Sequence, residues 1–161
     1  MDKFIIKSII ILSFILGVIL GVLAPIPVAG MVMLFIVLIL AAPLVMVYLI
    51  MDGKLDVTTP KDSIITGAVI GFCANLSFSA AYAIVMAVLA TCFNLTTNFF
   101  LSAMIINSPI WLVGVFVIFI GILCAVTNAF SGFATYYIIN LIRDMYEKNH
   151  PEFTQDEYKK E

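Results

Sequence analysis

From Ser63 to Ile142 the chain runs 80 residues without one Asp, Glu, Lys or Arg, and a second charge-free run, Ser8 to Met51, covers 44 more. A water-soluble domain of this size distributes charge over its surface, whereas here charge is confined to three short patches. With 63% hydrophobic and 11% charged residues, against roughly half and a quarter in soluble domains, the chain belongs to the membrane class. A span needs about 20 apolar residues, because ~30 Å of hydrocarbon is crossed at 1.5 Å per residue. The shorter run therefore fits two spans, and the longer one fits two long spans and their connection.

Inside hydrocarbon every backbone N–H must be paired within the protein, which leaves helices or a closed barrel. Barrel strands alternate apolar and polar residues, and stretches such as IIILSFILGVILGVL and VGVFVIFIGILCAV do not. The expected fold is all-α: a polytopic bundle of four transmembrane helices over residues 4–24, 31–51, 60–92 and 109–142, followed by a charged tail, 143–161. Pro25-Ile-Pro27 ends the first span and Asp52-Gly53 turns the chain after the second. Thr59 is placed to cap the third helix, with Pro60 at its first position and Asp62 at its third, where a carboxylate favours the helix dipole. Ser108 and Pro109 repeat that signal for the fourth. The apolar connection after the third span is expected to hold a short surface helix within 95–106. Lys3 and Lys7 before an apolar run imitate a signal peptide, but the length of that run and Pro25 directly after Ala24 favour a retained first span.

All eight Lys and Arg fall at the N-terminus, in the second-to-third connection, or after Ile142. The other two connections carry none. The positive-inside rule then puts both termini in the cytoplasm of a multi-pass protein of the plasma (inner) membrane. Trp111 and the pair Tyr136 and Tyr137, 25 and 26 residues further on, are spaced as anchors for the two membrane surfaces along one helix.

Membrane helices associate by close backbone approach and occasional hydrogen bonds, so small residues mark packing faces. The third span has Gly67, Gly71, Asn75, Ser79, Ala83 and Ala87 at every fourth position; the first offers Ser13, Gly17 and Gly21; the fourth offers Gly121 with Ala125, and Asn128 with Gly132. These three helices are expected to make the tightest contacts. The second span is bulky, and Pro43 near its middle removes one helix hydrogen bond and frees the Ile39 carbonyl, which predicts a kink. Asn75 and Asn128 must face the bundle, because an amide in hydrocarbon requires a partner. With Ser79, Thr127 and Ser131 they form the set that serves either as interhelical glue or as the lining of a small path.

Several chemistries lack their residues. No ionisable acid, Lys or Arg lies in the core of a span, which removes the usual proton relays and charged coupling sites. The outline resembles a small multidrug exporter, but the Glu which that family carries in its first span is missing. Cys73, Cys92 and Cys124 have no ligand spacing, and His150 stands alone in the tail; no catalytic, metal or cofactor residues are expected, and nothing points to nucleic acid. Gly71-Phe-Cys-Ala-Asn75-Leu-Ser-Phe78-Ser79 resembles, over nine residues, the third span of fluoride channels. The Arg and second-span Asn of that family are absent, so the resemblance stays local.

The reading favoured by these residues is a small non-catalytic membrane component, working through helix packing as an accessory, assembly or scaffold subunit. Its expected partners are the lipid bilayer and a second copy or another membrane protein. The alternative is a passive channel or carrier for a small neutral solute or anion, assembled as an oligomer and lined by the polar set above.

Overall fold

The computed structural model describes residues 3–26, 29–55, 59–93 and 108–149, and their regular structure is all helical. In chain order these are α1 (Lys3–Leu23), α2 (Ala29–Phe35), a π-helical turn (Ile36–Leu40), α3 (Ala41–Met51), α4 (Pro60–Phe93) and α5 (Ile110–Asn149). Four helical segments, Ile5–Leu23, Ala29–Met51, Pro60–Phe93 and Ile110–Tyr146, are long and apolar enough to cross a membrane. The expected surface helix within 95–106 and the end of the tail, 150–161, lie outside the described residues.

Local chemistry accounts for the ends of these elements. The Asp62 N–H donates to Thr59 Oγ1 (3.2 Å), and that hydroxyl donates to Asp62 Oδ2 (2.8 Å), so the cap of α4 is closed by the residues that announced it. α5 starts at Ile110, one residue later than Pro109. The Pro109 carbonyl takes the N–H groups of Leu112 (2.9 Å) and Val113 (3.3 Å). After α3 the chain reverses through Gly53, whose φ of +66° is one that side chains disfavour. Asp52 holds Lys54 there at 2.5 Å, and its carboxylate raises the Lys54 pKa. α5 has 40 residues, about 60 Å of helix, and so outruns the bilayer; Arg143 and Asp144 ride on its last turns, past the charge-free stretch.

α4 is the hub. It packs against α1 on one side and α5 on another, and the broken second span lies across all three. One apolar cluster joins α1, α3 and α4 through Ile9, Met46, Leu49, Ile70 and Ala74. A second joins α1, the π turn, α4 and α5 through Leu20, Val37, Phe78, Met86 and Cys124. Large apolar side chains such as Phe14, Phe35, Trp111 and Phe130 point outward. That is the arrangement of a bundle whose solvent is hydrocarbon.

Candidate functional site

The densest polar construction in the bundle is built on Asn128 of α5, whose side chain is fully buried. In an unbroken α-helix the Leu38 carbonyl would take the Ala42 N–H. Here the Asn128 carboxamide is inserted between them. Its Oδ1 accepts from the Ala42 N–H at 2.8 Å, and its Nδ2 donates to the carbonyls of Leu38 and Val37, both at 2.9 Å. The same nitrogen reaches the Cys124 carbonyl of its own helix at 2.9 Å. Thr127 adds a bond from Oγ1 to the Leu38 carbonyl at 2.5 Å while also bonding Leu123 in its own helix. The second span thus breaks at the π turn, three residues before Pro43, and α5 fills the gap in its hydrogen-bond ladder. The carbonyls that receive outside donors are those of Val37 and Leu38, where the expectation from Pro43 pointed to Ile39.

Two glycines of α4 make room for that amide. A Cβ on Gly71 would lie 2.6 Å from the Asn128 Cβ and 2.8 Å from its Nδ2, and would overlap the Cys124 carbonyl. A Cβ on Gly67 would overlap the Asn128 carbonyl. Below them Ser63 Oγ donates to the Gly132 carbonyl at 2.6 Å, and a Cβ on Gly132 would meet the Ser63 carbonyl at 2.9 Å and Met46 Sδ at 3.3 Å. On the other side of α4, Gly17 admits the Ala74 carbonyl and Ser77 Oγ, and Gly21 sits against the Phe78 carbonyl, 2.5 Å from where its Cβ would be. The glycine faces of α1 and α5 therefore both close on α4. Ala125 is half-buried, and Ala87, at the end of the α4 row, is exposed.

Asn75 sits two turns of α4 beyond Gly67 on the same face and is also buried, but its bonds are poorer. Its Nδ2 donates to the Val117 carbonyl at 3.3 Å, and its Oδ1 accepts from the Cys124 thiol at 3.6 Å. The pair bridges α4 to α5 beside Gly121, whose Cβ would lie 3.3 Å from Asn75 Nδ2. Next to it a cavity of about 70 Å³ opens between α4 and α5, lined by Asn75, Ser79 and Tyr82 with Leu34, Phe116 and Val117 among the apolar walls.

The five polar residues singled out in the sequence thus fall into separate places. Asn75 and Ser79 line the cavity, whereas Thr127 and Asn128 are bonded to the second span. Ser131 Oγ is turned back onto the Thr127 carbonyl of its own helix at 3.1 Å, as Ser13, Ser77 and Thr135 are in theirs. Among the described residues no fully buried side-chain nitrogen or oxygen lacks a partner, and no group of His, Cys, Asp or Glu could hold a metal ion. Sequence reasoning missed Ser63 and the π turn. Ser63 stands one turn before Gly67 on the small-residue row, which is a signal that extends that row; the apolar run Ile36–Leu40 carries none. Comparison with family models, curated proteins and solved structures finds no match.

Proposed function

We propose that the protein is a non-catalytic component of the plasma (inner) membrane, with both termini in the cytoplasm, that acts through helix packing as an accessory, assembly or scaffold subunit. One observation carries this reading: the amide and hydroxyl groups around Asn128 are spent on the bundle's own backbone. A path for solute needs polar groups left free along its length. Here Gly67 and Gly71 press α4 onto the α5 backbone beside Asn128, and the two polar clusters are separated by that contact. The unequal burial of the spans supports a partner. Within the most apolar 18 residues of each span, 11% of those in α5 are buried in the bundle, against 28–33% in the other three, so α5 offers the widest face to a second copy or another membrane protein.

Site-specific photocrosslinking in native membranes tests this. A crosslinker at Phe119, Val126 or Phe130, all exposed on α5, is expected to give a discrete protein adduct. The same group at Ile11 or Ile15 on α1 is expected to give lipid adducts alone. Lipid adducts alone from every α5 position would remove the case for a scaffold. A second reading, a passive channel or carrier, would have to start from the cavity beside Asn75 and Ser79. That reading requires a Cys placed at Ser79 to react with water-borne thiol reagents from both sides of the membrane.

A further inference from the structure

We propose that the cavity between α4 and α5 is a binding site for a small uncharged molecule bearing a hydroxyl or amide group. The inference goes beyond the scaffold reading and does not depend on it.

Among the described residues, a weakly bonded buried amide and an unbonded hydroxyl stand together here. A carboxamide offers two N–H donors and an acceptor oxygen with two lone pairs. Asn128 spends both donors, shared among three carbonyls, and one lone pair in four contacts of 2.8–2.9 Å. Asn75, 2% exposed, has one long donor bond and one weak thiol contact, which leaves a donor and an acceptor position open. Ser79, one turn on, lines the same cavity, and its hydroxyl makes no hydrogen bond among the described residues, whereas Ser13, Ser77, Thr127, Ser131 and Thr135 all do. In hydrocarbon such groups are costly unless something bonds them.

Size and wall chemistry define the occupant. About 70 Å³ is several times the room one water needs and roughly half that of a cavity that takes benzene. None of the lining residues is charged, so an ion would lie unpaired in a low-dielectric site. One polar corner against walls such as Phe116, Val117 and Leu34 suits a short alcohol or amide, its head on Asn75 and Ser79 and its carbons on the rings and branches. The site is blind towards Asn128, because Gly71 packs on the Cys124 carbonyl one turn from Asn75. It binds without offering passage.

The test is methyl NMR on the whole chain in lipid nanodiscs, titrated with 1-propanol and with propionamide. The expected result is saturable shifts of the Leu34, Val113 and Val117 methyls. Ser79→Ala, which removes one hydroxyl and no packing, is expected to raise the half-saturating concentration about five- to tenfold, the loss of one neutral hydrogen bond. Ala83→Leu, which fills the cavity, is expected to abolish saturation while the spectrum stays folded. Shifts that grow linearly and equally in wild type and Ser79→Ala would mean solute dissolved in the bilayer and would overturn the proposal. So would lipid-chain cross-peaks to Val117 that 1-propanol does not displace.

Discussion

A side-chain amide is a peptide group on a tether, and Asn128 is used as one. It accepts the Ala42 N–H and donates to Val37 and Leu38, so it stands in for the backbone bond that the second span gives up. Individual polar contacts between membrane helices average about 0.6 kcal/mol and reach about 1.7. Three in one residue, all on backbone groups with no water to replace them, amount to about 2–4 kcal/mol. Asn128→Leu is therefore expected to destabilise the folded bundle by that amount in a reversible unfolding titration in mixed micelles. Asn75→Leu, which breaks two long contacts, is expected to cost about 1 kcal/mol or less. Equal losses for the two would show that the Asn128 contacts carry no special weight. The sequence marked both amides as buried, from the cost of an unpaired amide in hydrocarbon. It could not rank them, because their partners are backbone atoms of other helices, and backbone groups have no residue-specific signature.

At the scale of elements, the row of small residues at every fourth position on α4 was legible because glycine, alanine and serine in register have few other uses in a membrane helix. Its consequence is a contact so close that Gly71 has no room for a methyl group. Gly71→Ala is expected to push α4 and α5 apart and cost about 1–3 kcal/mol, read by the same unfolding titration. Gly114→Ala on α5, where a Cβ meets nothing within 4 Å, is expected to be neutral or to stabilise by up to about 1 kcal/mol through helix propensity. A loss at Gly114 as large as at Gly71 would remove close packing as the explanation. The cap of α4 was equally legible, since Thr, Pro and Asp occupy the positions that helix-start chemistry requires. The second span was not. Pro43 announced a disturbance, but the position and kind of break are set by α5: an insertion of one residue into the ladder is tolerable only where Asn128 and Thr127 reach it. A run of Ile, Val and Leu cannot report what its neighbour will donate.

For the molecule as a whole, absent charge proved the most informative property of the sequence, and the four apolar helices follow from it directly. What the sequence grouped as a single polar set the fold divides in two. One part is a joint, in which α4 supplies space, α5 supplies an amide and a hydroxyl, and the second span supplies unpaired backbone. The other is a small cavity facing Asn75 and Ser79. The division arises because packed helices bring residues together by depth, which spacing along one helix does not encode. In the proposed function, polarity inside this bundle holds helices together instead of conducting. Solute and anion flux from liposomes reconstituted with the purified protein tests that. The expected rate equals that of protein-free liposomes for water-soluble neutral solutes and for small anions. A protein-dependent flux that Asn75→Leu or Thr127→Val abolishes, with the fold intact, would contradict it.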